Sequence, residues 1–372
     1  MIDDCNYYYA TDFSKKVITY SNNVIADFEY NFFLFFLSMV DPFAAAVHSI
    51  IGLSSASSTS SILGSCSHLP ARLVVFTACN SWQFDMLLLQ REGLKASTNC
   101  LSQRFVTVCL DDECNRECTG HRVDGCVRFI PRGLENASLA ADGSGHANLT
   151  TFASVKPSPF GSADYFYSTF LKWEIIERAM RHGAAVVLAV DVDVLMLRDP
   201  FLHPQARDLH AKHDLLFQTE SGQGCAARVN SGFMILKRTL LSNVVEAMLA
   251  KKHEILFGKR LEQEILERVL GSSSSVVSRC ALPGTVFTGH CLHPNPSGVF
   301  LKDVVTFHAN RNDNQHHKVA MMIHFLNRVR LATTSAKSVN MTFRDGELVT
   351  VSLYITLYQP DQPSHYVVLL LT

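Results

Sequence analysis

Four short stretches of this 372-residue chain carry side chains suited to gripping a hard cation and the oxygens around it. Asp191-Val192-Asp193 closes an apolar run that begins at Val186, and Asn230-Ser231-Gly232 opens another. Glu262-Gln263 stands in the first turn of a helical pattern, and Phe307-His308-Ala309-Asn310 is followed by Lys318. On extended backbone, residues two apart point the same way, so Asp191 and Asp193 can share one ion while Val192 stays in the core. Adjacent carboxylates repel and need a compensating charge, which a divalent metal supplies. The plainer alternative is that either aspartate caps a turn or the next helix. Acids in a first turn such as Glu262 can likewise serve only the helix dipole. A lone strand-end histidine is often structural, but His308 stands near Asn310, His316, His317 and Lys318.

These residues need a scaffold, and the pattern around them supplies one. Val186 to Val190 are too few and too uniformly apolar for a surface helix, and read as a strand buried on both faces. In an open α/β sheet, ligands bind at the carboxyl edge of such strands, which is where the aspartates lie. Leu73–Phe76 reads as a strand leading into Thr77 and Asn80, Phe84–Gly93 as a helix closed by glycine, and Phe105–Leu110 as the next strand. Its acidic end, Asp111-Asp112-Glu113, reads as a turn. From Tyr165 to Gly183, Trp173, Ile176 and Met180 share a helix face, while Glu174 with Arg178 and Glu177 with Arg181 pair at i,i+4. Further strands follow at Asp214–Glu220, Val229–Leu236 and Lys302–Asn310, with helices over Leu240–Met248, Leu261–Leu270 and from Lys318 onward. This alternation predicts an α/β fold with a mostly parallel sheet flanked by helices. Val339–Phe343 and Val349–Leu357 alternate about Asp345-Gly346 and predict an appended C-terminal β-hairpin.

The balance of 33 basic against 34 acidic residues leaves no net field to recruit nucleic acid. Cys100, Cys109, Cys114, Cys118 and Cys126 crowd one region, where Cys114-x-x-x-Cys118 lacks the second pair of a zinc finger. With sequons at Asn136, Asn148 and Asn340, they favour disulfides in an oxidising lumen. The apolar stretch 32–53 is a candidate signal-anchor, interrupted by Asp41, Pro42 and His48; two short buried segments are the alternative. Serines from 54 to 67 resemble a stem. The expected organisation is therefore an N-terminal region over 1–67, a main domain over 68–335 and the hairpin tail over 336–372.

In this order, the Lys172-Trp173 helix, the Val-Asp191-Val-Asp193 strand end, Val229-Asn230-Ser231-Gly232-Phe233, Glu262-Gln263, and Phe307-His308-Ala309-Asn310 with Lys318 resemble the nucleotide-diphospho-sugar transferases of glycosyltransferase family 77, which include plant-type xylosyl- and arabinosyltransferases. The resemblance runs from about Leu73 to Arg330. It implies a GT-A (Rossmann-like) fold in a Golgi setting, which single-pass type II anchoring through the candidate stretch 32–53 would suit. It also implies a nucleotide-sugar donor, a glycan or glycoprotein acceptor, Mn²⁺ or Mg²⁺, and retention of the anomeric configuration. Carried onto this chain, Asp191 would hold the ribose or share the metal, Asp193 would be the direct metal ligand and His308 a further one. Lys318 would contact the diphosphate, and Thr77 and Asn80 the nucleotide. Asn230, Gly232 and Asn310 would face the donor, with Gln263 and Glu262 at the reacting centre. The chain departs from the family in Leu195-Met196, where an aromatic stretch is usual, and in Glu262-Gln263, where Asp-Gln is customary. A strand ending in Asp-Val-Asp-Val-Leu also resembles the first motif of haloacid dehalogenase phosphatases, with Asp191 as nucleophile. That motif normally opens its domain, whereas strands precede position 186 here. A catalytically inactive lumenal binding protein is the third reading.

Overall fold

The sequence folds into an α/β domain in the computed structural model, which describes residues 41–55, 66–97, 99–132, 163–219, 224–258, 260–273, 276–289, 301, 303–310 and 315–333, plus the backbone of three strands between 338 and 371. The stretch 32–40, most of the serine-rich run and the sequons at Asn136 and Asn148 lie outside the described residues.

Among the described residues, ten strands build the domain: β1 (Leu73–Cys79), β2 (Phe105–Cys109), β3 (Cys126–Arg128), β4 (Val186–Val190), β5 (Val194–Met196), β6 (Leu215–Thr219), β7 (Val229–Lys237), β8 (Arg279–Ala281), β9 (Phe287–Gly289) and β10 (Thr306–His308). Around them lie α1 (Pro42–Ser55), α2 (Phe84–Ser97), α3 (Asp112–Gly120), α4 (Ala163–Arg181), α5 (Pro204–Lys212), α6 (Glu262–Ser272) and α7 (Gln315–Thr333). The main sheet has the order β3-β2-β1-β4-β7-β6-β8 and is mostly parallel, as the alternation of elements predicts. β7 alone is reversed, pairing antiparallel with both β4 and β6. A small second sheet, β5-β10-β9, stands at the carboxyl end of β4.

Period-two packing explains why the central strands are apolar throughout. Val187 and Ala189 of β4 enter one core cluster with Trp173, Ile176 and Met180 of α4, while Val186, Leu188 and Val190 enter another with Phe233 and Ile235. Both faces of the sheet are thus covered, so no polar position is left on the strand until Asp191.

Several boundaries differ from expectation, each for a physical reason. Helix α2 runs through Gly93 to Ser97. A Cβ at Gly93 would stand 3.0 Å from the Met196 carbonyl oxygen, so this glycine allows helix and β5 to approach and does not end the helix. Helix α6 likewise continues past Gly271 to Ser272. The segment expected as one helix over Leu240–Met248 is a 3₁₀ turn, a wide π turn and an α turn in succession. Helix α1 is the second half of the candidate anchor, and its Phe43, Ala44 and Val47 are buried in the main core, with Phe43 edge-on to Phe129. That half is a domain element, so the domain's packing begins before residue 68. Among the described residues no helix is long and apolar enough to cross a membrane.

The expected hairpin forms between β11 (Ser338–Arg344) and β12 (Glu347–Thr356), with Arg344 opposite Glu347. A third strand, β13 (Tyr366–Leu371), adds to β12 and makes the tail a three-stranded antiparallel sheet.

Candidate active site

Strand ends build the site. Asp191 follows β4, and its backbone N–H donates to the Gly232 carbonyl at 2.7 Å, so the start of the reversed β7 lies at the same sheet edge. After the aspartates the chain turns into β5, which pairs antiparallel with β10 so that Val194 lies opposite His308. The backbone N–H of Ala309 then reaches the Asp193 carbonyl at 3.0 Å. Gln90, buried on α2, clasps the turn by donating to the carbonyls of Asp191 and Val194, each at 2.9 Å. This cross-strand pairing is what carries His308 to the aspartates.

One ligand atom from each of Asp191, Asp193 and His308 lies within 4.8 Å of the others. Oxygen donors around Mg²⁺ or Ca²⁺ lie about 2.0–2.6 Å from the ion, so two ligands facing each other across it are of this separation. Two carboxylates and an imidazole form a donor set suited to Mn²⁺. Nδ1 of His308 is buried with no hydrogen-bond partner among the described residues, and its ring packs over Gly232, where a Cβ would collide with it. The residues present therefore fit a divalent cation.

Basic side chains of the chain itself stand on either side. His308 Nε2 lies 3.2 Å from Asp193 Oδ1, and Lys318 Nζ lies 2.6 Å from Oδ2. Burial pushes the Asp193 carboxyl up, but the Lys318 ammonium and the His308 ring outweigh it and hold the group well below the usual carboxylate range. On the other flank, Lys172 Nζ lies 2.6 Å from Asp191 Oδ1 and donates to the Ser231 carbonyl at 2.9 Å. Burial lowers the Lys172 pKa, and the carboxylates of Asp191 and Glu262 more than reverse it. Glu262 is pushed up by burial, with Lys172 opposing.

The cleft around these groups has a volume of about 530 Å³, within the range of small-molecule sites. Asp191, Asp193, Asn230, Gly232, Glu262, Gln263, His308, Asn310, Lys318 and Asn80 all line it. Asn80 spends its side-chain oxygen on the N–H of Gln83, capping the turn over residues 81–83. Gln263 accepts from the Ser231 N–H at 3.3 Å. Both Glu262 oxygens are engaged, one by Trp173 Nε1 at 2.9 Å and one by Ser231 Oγ at 2.8 Å. Thr77 is different. It is wholly buried in β1 beside Thr107, and the next residue, Ala78, lines the cleft. The alternation of side chains along β1 keeps Thr77 from the nucleotide contact expected of it. Conversely, sequence reasoning gave no role to Lys172, Gln90, Tyr165 or Trp82, of which Lys172, Tyr165 and Trp82 line the cleft. The signal for the first is tertiary: residues 170–180 of α4 are all buried, the charged ones included, and Lys172 is one of them.

The acidic triplet also has a defined place: Asp111 caps α3 by accepting from the Cys114 N–H at 2.7 Å, and its other oxygen accepts from the Ser81 N–H at 3.0 Å. Among the described residues, Cys66–Cys100, Cys118–Cys126 and Cys225–Cys280 are disulfide-bonded.

Comparison with known proteins identifies the family. Residues 100–322 match the family model of the nucleotide-diphospho-sugar transferases. No curated protein matches the chain in sequence. Among solved structures, the galactosyltransferase LgtC, in complex with donor and acceptor sugar analogues, is similar at 12% identity and a TM-score of 0.42, over 71% of this chain and 96% of that one. Mouse xyloside xylosyltransferase 1 is similar at 12% identity and a TM-score of 0.37, over 65% and 99% of the two chains. The family match spans β2 to α7 and takes in the aspartates, the start of β7, α6, His308 and Lys318, so the chain belongs to the nucleotide-diphospho-sugar transferase family and is a glycosyltransferase.

Proposed function

We propose that this glycosyltransferase is metal-dependent and retaining, moving a sugar from a nucleotide-diphospho-sugar to a glycan or glycoprotein acceptor. The observation that carries this reading is the meeting of Asp191, Asp193 and His308 at one point of the cleft wall, with Lys318 beside them. Asp193 and His308 would hold Mn²⁺ or Mg²⁺, and Asp191 would share the ion or hold the ribose. The bound ion would act as a Lewis acid toward the departing diphosphate.

The protein's own groups do the rest. Lys318 now rests on Asp193 and would turn toward the diphosphate, adding a mobile point charge. Asn80 and Trp82 line the cleft and would contact the nucleotide. Asn230 and Gln263 would face the donor sugar, and Asn310 lies beside His308 on the metal side. With both oxygens held by Trp173 and Ser231, Glu262 acts as a positioning residue: it fixes Ser231 and sets the charge on Lys172, while Gln263 touches the donor. The Golgi lumen is the proposed setting, supported by the three disulfides.

Hydrolysis and transfer should be screened across nucleotide-sugar donors, after chelation and after Mn²⁺ is restored, with the anomeric configuration of the product read by NMR. Turnover lost on chelation and recovered with Mn²⁺, with retained configuration, is expected. Tight binding of a nucleoside diphosphate without turnover of any donor would leave a binding protein instead, and full activity of Asp193→Ala would refute the metal assignment.

A further inference from the structure

Behind the cleft wall, five sulfurs from four elements lie in one row. Cys126 of β3 is bonded to Cys118 of α3. Cys118 Sγ lies 3.6 Å from Cys109 Sγ at the end of β2, Cys109 lies 2.6 Å from Cys114 of α3, and Cys114 lies 3.0 Å from Cys79 at the end of β1. Cys79, Cys109 and Cys114 are free thiols, and all three are fully buried. Cys126 is half-buried and so forms the outer end of the row. The inner end, Cys79, lies between Ala78 and Asn80, which line the cleft, and its own side chain is buried behind them, as that of Thr77 is.

We propose that these five cysteines form an intramolecular thiol–disulfide relay, in which a single disulfide moves between the Cys118–Cys126 position and pairings further inward through Cys109. In the first step Cys109 sulfur attacks Cys118 sulfur. The Cys118–Cys126 bond breaks, the Cys109–Cys118 bond forms, and Cys126 leaves as a thiolate that takes up the proton given up by Cys109. Cys109 is oxidised, Cys126 is reduced, and no outside oxidant is required. Attack by Cys114 on Cys109, then by Cys79 on Cys114, would carry the bond to Cys79, buried behind the cleft wall, by the same exchange, each step releasing the previous partner (Cys118, then Cys109) as a thiol.

Three observations support the relay. Each nucleophile is already at or inside sulfur contact distance of the sulfur it attacks. Complete burial of the inner three keeps external thiols out, so exchange within the row has no competitor. The thiolate is the attacking species, and for the first step Cys109 is the group held low, at about 5, by hydrogen bonds from Cys114 and Cys79 with further help from Arg128, while hydrogen bonding to Cys109 holds Cys114 and Cys79 up as thiols. A fixed structural disulfide needs no third sulfur within reach, and here Cys109 has Cys79, Cys114 and Cys118 about it, while Cys114 has Cys79 and Cys109.

The test is a disulfide map of the intact protein, quenched in acid, denatured with N-ethylmaleimide present and digested without reductant. The expected result is at least two pairings, Cys118–Cys126 together with Cys109–Cys118 or Cys109–Cys114, and one bond per molecule among the five residues. In Cys109→Ser the inner pairings should vanish and alkylation of Cys126 should fall about tenfold or more, because the attacking thiol is gone. Should that variant not fold, Cys109→Ala gives the same comparison, and the wild-type map decides without either. A single fixed Cys118–Cys126 bond with Cys109 fully alkylated would overturn the relay. So would two bonds coexisting in one molecule, or zinc bound stoichiometrically by Cys79, Cys109 and Cys114.

Discussion

The ring of His308 lies against the bare α-carbon of Gly232, so that a methyl group built there would overlap Cε1 and stand 3.0 Å from Nδ1. The backbone of Gly232 is in turn held by the Asn230 side chain and by Asp191, which accept and donate at 2.8 and 2.7 Å. Glycine is needed at this position for space, to let the imidazole lie flat on β7. Gly232→Ala should therefore push His308 off Asp193 and lower Mn²⁺ affinity by about 10- to 100-fold, the usual cost of disturbing the support of a ligand. Overpacking should also cost about 1–3 kcal/mol of stability. Calorimetric Mn²⁺ titration alongside circular dichroism checks both. A folded variant with unchanged affinity would remove His308 from the ligand set.

Asp193 has one oxygen on His308 and the other on Lys318, so the ammonium and the proposed metal ion would compete for the same carboxylate. Lys318→Met should then tighten Mn²⁺ binding in the absence of nucleotide. It should weaken binding of a nucleoside diphosphate by about 10- to 100-fold, the loss of one charged hydrogen bond of roughly 1.5–3 kcal/mol. Two titrations on the same variant read the two changes, and movement in the same direction would contradict the competition.

Lys172 is the buried cation of a network that joins the partly exposed Asp191 to the buried Glu262, Ser231 and Trp173 by bonds of 2.6–2.9 Å. Removing it takes the ammonium from the partly exposed Asp191 and leaves the buried Glu262 without its nearby positive charge, so Lys172→Met should cost about 1.5–3 kcal/mol in urea unfolding, the worth of a charged hydrogen bond. Adding Glu262→Gln should restore part of that loss, with a coupling of about 0.5–3 kcal/mol. Strict additivity would show that Lys172 does not serve Glu262.

How much of this could be read in advance varies residue by residue. Asp191 and Asp193 announced themselves because a strand buried on both faces ends abruptly in charge, and the α/β alternation around them gave the mostly parallel sheet. The reversal of β7 was not legible, since an apolar run such as Val229–Lys237 is the same in either direction. Nor was the meeting of β5 with β10, because strands of three residues carry no periodicity, yet that pairing is what delivers His308. Gly93 was read as a stop signal, although its reason is the Met196 carbonyl, a contact distant in sequence. Thr77 was placed in the nucleotide site, and strand alternation turned it inward. Lys172 looked like one more helical lysine because burial on every side of α4 is a tertiary fact.

Acid should loosen the helix that carries Lys318. His324 lies on α7, its Nε2 is buried with no partner among the described residues, and burial, aided by Arg328 one turn on, lowers its pKa to about 4. Its pKa in the unfolded chain is near 6.5, so between pH 6.5 and 4 the unfolded state binds the extra proton and stability falls with pH. The contribution is whole above pH 6.5 and is lost as pH approaches 4. His48, His182, His203 and His210 are lowered in the same direction by burial and add to the slope. Replacing His324 by leucine removes one titrating group and fills an apolar position between Met322 and Phe325. The melting temperature of His324→Leu should decline less than that of the wild type between pH 7 and 4.5. Parallel curves for the two proteins would mean that His324 is protonated as readily in the fold as out of it.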